Sequence, residues 1–528
     1  MVTDIAPEPR VANGAAEPMP PDRRLLLATA LAASLVVNLS GQLVPFNIAD
    51  IAGRVGASAD EGSWLVTHYS MGLFSGVVFA SPLLAAFGLG RYMAASALLF
   101  AMTAVAAAAA PPLPWMIAVR TLQGFAAGGF GPMAFVATFM TMSGPRLRFG
   151  LSLLAIILIL PTSLGPPLAG LLEDSLGWEA LFHFQAAGGG LVAIFAILLV
   201  PRTPIAWPAL RRDWISLLLL CAALASTLLV LGQGTRRDWL DSPVIGWAMA
   251  TGAGAWAGFL LTLWRSPAPL LSLDLLARRS FAVPITLNLL FRVGFATTAF
   301  LVPQFLILVQ GYRPLELGQL YLWAAVPQLL VYPLAWWLLG RIDGRLIIAS
   351  GLVLFGLAAV LAAGVTSETG ADDFRLAMAL AGAGQTLFLV PNLIAGGIQL
   401  KPADGPTASL LFNATTLGGT NIGVALATEF VTQRQRFHLG ARAESAAAYG
   451  PHPEPLESFA AQLTSRIGDD AIAAVRTLAT VADALRREAW VLSFEDGLLV
   501  AGGLLIVSAA GVLLLQSPSL PHPTRGSR

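Results

Sequence analysis

The chain has 528 residues, of which 56% are hydrophobic and only 12% are charged, and its mean hydropathy is +0.73. Because an ordinary soluble domain has about a quarter of its residues charged, this composition excludes a soluble globular protein. The 31 basic and 30 acidic residues nearly cancel, and no nucleic-acid partner is predicted.

Apolar runs of helix length follow one another along the chain. A helix needs about 20 apolar residues to cross a bilayer, and residues 151–172, 178–200 and 498–515 form runs of this kind. We therefore predict an all-α polytopic membrane protein with about 14 transmembrane helices. The predicted helix centres are residues 37, 75, 101, 128, 160, 188, 224, 254, 292, 328, 356, 386, 418 and 506.

The loops differ in charge on the two sides of the membrane. Residues 1–22 are predicted to form a disordered cytoplasmic tail, and residues 517–528 a second cytoplasmic tail. Arginine and lysine concentrate in the loops that share a side with these tails. The short loops opposite contain only Arg54, Arg236, Arg237, Arg313 and Arg375. Because basic residues favour the cytoplasmic side, both termini are predicted to be cytoplasmic.

A weak internal repeat divides the chain. Residues 88–91 (Gly-Leu-Gly-Arg) follow the second helix, and residues 340–345 (Gly-Arg-Ile-Asp-Gly-Arg) follow the tenth. Such repeats are typical of transporters in which two bundles rock about a midplane site. We predict an N-terminal six-helix bundle at 23–200, two inserted transmembrane helices with flanking loops at 201–280, and a C-terminal six-helix bundle at 281–516.

Two motifs resemble those of a known family. Residues 115–124 have the sequence Trp-Met-Ile-Ala-Val-Arg-Thr-Leu-Gln-Gly, and residues 161–170 the sequence Pro-Thr-Ser-Leu-Gly-Pro-Pro-Leu-Ala-Gly. They resemble motif B and the exporter motif C of the major facilitator superfamily. Residues 231–243, 310–318 and 409–413 resemble segments of its fourteen-helix drug:proton antiporters of the EmrB/QacA type. The resemblance implies alternating access, a proton gradient as the energy source and no cofactor.

The glycine and proline residues of the second motif have a physical rationale. Pro166 and Pro167 remove backbone donors and clash with the preceding turn, whereas Gly165 and Gly170 allow a neighbouring helix to approach closely. We predict a conformational hinge here. The alternative is that glycine and proline are simply frequent in membrane helices.

Two arginines are predicted at membrane depth. Arg120 lies about 9 Å into the membrane from Pro114, at 1.5 Å per residue. Arg292, in the ninth helix, lies near the midplane of the bilayer. A charge at this depth costs roughly 2.5 to 3.5 kcal/mol, so both side chains should face the interior. They predict an electropositive cavity that favours anionic or neutral aromatic substrates. The alternative is that backbone carbonyls and inward amide side chains satisfy both guanidinium groups.

Polar side chains within the apolar runs should also face inward, because each one costs free energy in hydrocarbon. With Arg120 and Arg292, the candidate cavity residues are Gln42, Asn47, Gln123, Asn288, Gln304, Asn392 and Asn413. The alternative for any one of them is a purely structural contact between helices.

The sequence departs from the family at the expected proton-coupling carboxylate. Ser40 stands where the fourteen-helix antiporters typically have an aspartate, and Thr416 stands where many have an arginine. The remaining candidates for proton coupling are His68, Asp50 and Glu429. Histidine is suited to this role because it titrates near neutral pH.

Residues 433–489 form a long segment before the last helix on the predicted extracytoplasmic side. Apolar residues recur at helical spacing in 456–467 and 472–485, with a break at Gly468, and predict two amphipathic helices. In the EmrB branch, the resemblance implies a location in the cell inner (plasma) membrane, with a periplasmic membrane-fusion adaptor and an outer-membrane channel as partners. The alternative is that these helices only cover the outer face.

Enzyme activity is not predicted. The five histidines have no metal-ligand spacing, no phosphate-binding loop is present, and the single cysteine, Cys221, has no obvious catalytic partner. We predict a secondary active exporter of small organic molecules or drugs that works in the lipid bilayer. Two alternatives stay open, namely a membrane ligand sensor or receptor without transport and an uncoupled organic-anion facilitator.

Overall fold

The computed structural model describes residues 21–208, 213–266, 270–401, 404–449 and 470–515, and the regular structure in these ranges is helical. The α-helices are α1 (Pro21–Phe46), α2 (Ile48–Arg54), α3 (Ala59–Ala108), α4 (Leu113–Gly128), α5 (Phe130–Thr141), α6 (Pro145–Leu176), α7 (Glu179–Leu199), α8 (Trp214–Gln233), α9 (Pro243–Arg265), α10 (Leu273–Ala277), α11 (Arg279–Gln310), α12 (Pro314–Leu339), α13 (Gly344–Ala362), α14 (Arg375–Gly397), α15 (Gly405–Tyr449) and α16 (Asp470–Ser508).

The described residues cross the membrane fourteen times. They contain 13 helical spans that are long and apolar enough to cross, and one of these, Asp60–Ala108, has 49 residues. At 1.5 Å per residue it is about 74 Å long, more than twice the thickness of the hydrocarbon core. Gly88 interrupts it with a φ of 72°, a left-handed conformation that glycine adopts without strain. The span is therefore two crossings, and the predicted number of about 14 is confirmed. Residues 88–91, which follow the second predicted helix, thus begin with a sharp kink at Gly88 between two helices.

The helices form two bundles with an inserted pair between them. In the first, α3 packs against α4 and α7, and α1 packs against α5, α6 and α7. In the second, α11 packs against α15 and α16, and α13 packs against α14 and α16. The inserted helices α8 and α9 pack mainly against each other, and α8 also contacts α3.

The two bundles meet along an extended contact between α6 and α12, which we call the seam. From one end of the seam to the other, the facing pairs are Gly170 and Leu315, Pro167 and Gly318, Ser163 and Gln328, and Ser152 and Tyr332. The first two pairs bring backbone against backbone, whereas the last two are hydrogen-bonded side chains. Of the two glycines of the predicted hinge, Gly170 therefore lies at the close contact between the bundles, whereas Gly165 packs against Gln42 within its own bundle.

The segment before the last crossing differs from the predicted separate amphipathic helices. The 45-residue helix α15 continues beyond the length of one crossing to Tyr449, and α16 begins at Asp470 and runs directly into the last crossing. The two extensions are joined because Asp496 accepts hydrogen bonds from Arg434 at 2.6 Å and from His438 at 2.8 Å. The predicted helix at 456–467 and the break at Gly468 lie outside the described residues.

Candidate functional site

The first buried arginine has a hydrogen-bond and a cation–π partner within its own bundle, and only its Nε atom is buried without a hydrogen-bond partner among the described residues. Arg120 is only 2% exposed, and its guanidinium donates to the Oε1 atom of Gln123, one turn further along α4. Gln123 in turn donates to Gln185 of α7 at 2.9 Å. The Cζ atom of Arg120 also lies 4.1 Å from the ring centroid of Tyr69 in α3, which is a cation–π contact. This cluster joins three helices of the N-terminal bundle.

The second buried arginine lacks such partners. Arg292 is 3% exposed, and neither its Nε nor its Nη2 atom has a hydrogen-bond partner among the described residues. Its Cζ atom lies 5.7 Å from the ring centroid of Phe295. A buried donor without an acceptor costs about 1 to 3 kcal/mol, and more when it is charged. The arrangement therefore suits an anionic group that would accept hydrogen bonds from this guanidinium.

Asn288 lies one turn before Arg292 and is held in place by α15. Its Nδ2 atom donates to the hydroxyl groups of Thr415 and Thr416, each at 3.0 Å. Its Oδ1 atom is buried and has no hydrogen-bond partner in the described part of the chain. Thr416, where relatives have an arginine, thus orients a polar side chain beside Arg292.

The structure places the remaining cavity candidates mainly at contacts between helices. Three of them donate to backbone carbonyl groups: Asn47 to that of Ala169 at 3.3 Å, Asn392 to that of Pro284 at 3.1 Å, and Asn413 to that of Ser409 at 2.8 Å. The side chain of Gln42 packs against Gly165, and Gln304 is half-buried. Single unpaired atoms also occur on Arg120, Asn47 and Asn392, but Arg292 has two unpaired guanidinium nitrogens and lies one turn from the unpaired Oδ1 atom of Asn288 in the described part of the chain.

A polar network in the middle of the seam was missed in the sequence analysis. Gln328 of α12 is fully buried, and its Nε2 atom donates to Ser163 of α6 at 2.8 Å and to the Oε1 atom of Gln385 of α14 at 2.7 Å. Both glutamines lie inside apolar runs, as Gln304 does, so the same criterion would have found them. The network connects the two bundles at mid-depth.

Two proton-coupling candidates have mainly local surroundings. The Nδ1 atom of His68 lies 3.0 Å from the carbonyl oxygen of Trp64, one turn earlier in α3. Asp50 is exposed, and its carboxyl group lies near that of Glu173 at the end of α6. Ser40, in the place of the family's aspartate, is 1% exposed.

The third candidate, Glu429, connects the C-terminal bundle to the loop between the inserted helices. Its carboxylate accepts hydrogen bonds from Thr235 at 2.7 Å and from the indole of Trp239 at 2.8 Å. Gln433, one turn further along α15, donates to the same carboxylate at 2.9 Å. We call residues 234–242 the α8–α9 loop.

The α8–α9 loop and the end of α8 also bind the N-terminal bundle. Arg236 forms an ion pair of 3.0 Å with Asp60, and the guanidinium of Arg237 lies 4.9 Å from the ring centroid of Trp64. Gln233, at the end of α8, donates to Thr67 at 2.9 Å. The loop is therefore fastened to both bundles at the same end of the molecule.

We expect Glu429→Gln to loosen the attachment of the α8–α9 loop to α15, because hydrogen bonds to a charged acceptor are about twice as strong as neutral ones. Thr67 is 8% exposed beneath Gln233, so a cysteine placed there reports whether the loop has lifted. In a chain with Cys221→Ala and Thr67→Cys, a membrane-impermeant maleimide should label the Glu429→Gln variant several-fold faster. The control is Glu444→Gln, at an exposed position of the same helix. Equal labelling rates in both variants would contradict this role of Glu429.

Comparisons with known proteins agree with the fold. The family model of the Major Facilitator Superfamily matches residues 27–424. The multidrug resistance protein Stp of Mycobacterium tuberculosis (strain CDC 1551 / Oshkosh) is 27% identical over 408 residues, which cover 76% of this chain and 74% of Stp. The multidrug export protein EmrB of Escherichia coli (strain K12) is 23% identical over 439 residues, which cover 82% of this chain and 85% of EmrB.

A solved structure has the same architecture. The crystal structure of the human organic anion transporter MFSD10 (TETRAN) matches with a TM-score of 0.54 and 13% sequence identity, over 93% of this chain and all 100% of that one. At this identity the likeness is one of fold.

Proposed function

The chain belongs to the Major Facilitator Superfamily, and on this basis we propose that it exports small organic molecules by proton antiport. The superfamily consists of transporters and not of enzymes. The relatives Stp and EmrB agree with the predicted resemblance to the EmrB/QacA type. Their names describe multidrug resistance and multidrug export, which supports an exporter of drugs or similar molecules.

Arg292 supports a preference for anionic substrates. It is buried, and two of its guanidinium nitrogens have no acceptor among the described residues. A carboxylate fits the planar guanidinium with two parallel hydrogen bonds. An aromatic carboxylate would also meet the ring of Phe295 beside the guanidinium. This is the observation from which we infer aromatic carboxylates as the substrate class.

The seam supports alternating access. At one of its ends, Gly170 meets the backbone of Leu315, and at its other end Ser152 and Tyr332 are joined by a hydrogen bond of 3.0 Å. Separating either end, while the other end stays closed, would open a path from that side to the interior. Rocking of two bundles in this way is the general mechanism of transporters built from repeats.

Transport in reconstituted vesicles tests the proposal. Hippurate, an aromatic carboxylate, should accumulate when a proton gradient is imposed and should lose its accumulation when the gradient is collapsed. A pH change coupled to hippurate movement should appear at the same time. Accumulation that ignores both the pH gradient and the membrane potential would rule out proton coupling.

The same assay separates the proposal from its alternatives. An uncoupled organic-anion facilitator would equilibrate hippurate across the membrane without accumulating it. A sensor or receptor would bind hippurate and move none. Both alternatives would use Arg292 in the same way, so only the energetics of transport distinguish them.

We further propose that the protein lies in a Gram-negative inner membrane with both termini cytoplasmic, and that it works with a periplasmic adaptor. The distribution of basic residues supports the orientation. The extensions of α15 and α16 supply a helical surface beyond the membrane for such a partner. Deletion of residues 456–485, which include the first part of α16, should then abolish drug resistance of whole cells and spare transport in vesicles. An equal loss in both assays would contradict an adaptor role for this segment.

A further inference from the structure

The middle of the seam contains a second pair of unpaired polar atoms. Gln328 is 0% exposed and Gln385 is 2% exposed. The Oε1 atom of Gln328 and the Nε2 atom of Gln385 have no hydrogen-bond partner within the described ranges, although the two side chains are bonded to each other. Two hydrogen-bonded side chains of neighbouring helices thus present one buried acceptor and one buried donor.

The side chain of Gln328 makes two hydrogen bonds, and that of Gln385 makes one. The Nε2 atom of Gln328 donates to Ser163 at 2.8 Å and to Gln385 at 2.7 Å, so its Oε1 atom is left for another group. Thr386, next to Gln385, donates to the backbone carbonyl groups of Gln328 and Gly382 at 3.4 Å and 3.2 Å. The Oε1 atom of Gln328 is therefore positioned by the two hydrogen bonds of the same amide group, and α12 and α14 are joined beside it through Thr386.

The location links this pair to transport. Ser163 belongs to α6 in the N-terminal bundle, whereas Gln328 and Gln385 belong to α12 and α14 in the C-terminal bundle. A ligand that binds here would contact both bundles near the middle of the seam. Substrate sites of transporters with two rocking bundles lie at this depth.

We propose that Gln328 and Gln385 form a binding site for the carboxamide group of a substrate. The Oε1 atom of Gln328 accepts the substrate N–H, and the Nε2 atom of Gln385 donates to the substrate carbonyl. The proposal rests on the proposed transport of small organic molecules, and it adds a neutral hydrogen-bonding group to the substrate class inferred from Arg292. A site of this kind rejects an analogue that lacks the hydrogen-bonding group, because its own polar atom is then left unpaired.

Hippurate and benzoylglycolate test the site, because they differ only in an amide N–H that is replaced by an ester oxygen. The wild type should transport hippurate with a KM about tenfold lower, the ratio that corresponds to about 1.4 kcal/mol. Gln328→Met should abolish this preference by raising the KM of hippurate. Gln385→Met should raise the KM of both compounds together, because both have the carbonyl group that Gln385 would bind.

Procainamide and procaine give the same amide and ester comparison in cationic compounds. The wild type could transport procainamide and procaine but neither hippurate nor benzoylglycolate. The inferred class of aromatic carboxylates would then be wrong, and procainamide and procaine would still test the amide site. Equal KM values for amide and ester in the wild type, in whichever pair is transported, would overturn the site. An amide preference that persists in Gln328→Met would also overturn it.

Discussion

Arg292→Gln should lower the transport of hippurate roughly 10- to 100-fold and leave ethidium transport unchanged or improved. A hydrogen bond to a charged group contributes about 1.5 to 3 kcal/mol, and each 1.4 kcal/mol corresponds to about a factor of ten in binding. The wild-type guanidinium has two buried nitrogens without acceptors in the described part of the chain, so a bound carboxylate would supply what is missing. A neutral amide at this position would no longer attract an anion or repel a cation. Uptake of both probes into the same vesicles measures the change in selectivity.

Arg120 provides the matched control for this experiment. It is buried as deeply as Arg292, but it already contacts Gln123 and Tyr69. Arg120→Gln should therefore reduce the amount of folded protein and leave the ratio of hippurate to ethidium transport unchanged. Arg292→Lys keeps the charge without the planar fork and should retain only part of the hippurate transport. A wild type that carries ethidium and ignores carboxylates would show that the cavity does not select anions.

The contrast between the two arginines shows what sequence can predict in a membrane protein. Both were placed at membrane depth because each lies within an apolar run. The cost of a charge in hydrocarbon then predicted that both side chains face the interior. Their partners depend on other helices. Gln185 is 62 residues from Gln123 in the chain, and no periodicity within α4 or α7 indicates that they meet.

The same limit applies to the two connections between the bundles. Ser163 and Gln328 are separated by 165 residues, and Thr235 and Glu429 by 194. The number of crossings and the family could be predicted because hydropathy and short motifs are local features. The seam network and the attachment of the α8–α9 loop arise from tertiary packing, which a single sequence does not contain.

The predicted hinge shows how a local pattern acquires a more specific meaning in the structure. Helix α6 continues from Pro145 to Leu176 through Pro161, Pro166 and Pro167. A Cβ atom added at Gly170 would lie 2.6 Å from the Cα atom of Leu315 in the other bundle, and one added at Gly165 would lie 2.3 Å from the Cβ atom of Gln42 in the same bundle. Gly165 therefore packs α6 within its bundle, whereas Gly170 permits the close contact between bundles.

Gly170→Ala should reduce hippurate export roughly 5- to 150-fold while the protein still reaches the membrane. The added Cβ atom meets backbone atoms of Leu315 and Pro314, and backbone cannot move aside as a flexible side chain can. Overpacking of this kind costs about 1 to 3 kcal/mol. It destabilises only the state in which the Gly170 end of the seam is closed. The substitution therefore shifts the two-state equilibrium towards the open state about 5- to 150-fold and slows the cycle.

Gly190→Ala is the matched control, because a Cβ atom at Gly190 of α7 would meet nothing within 4 Å. Vesicle transport normalised to protein content measures the effect, and wild-type export by Gly170→Ala would show that close contact at this end of the seam is not needed for transport.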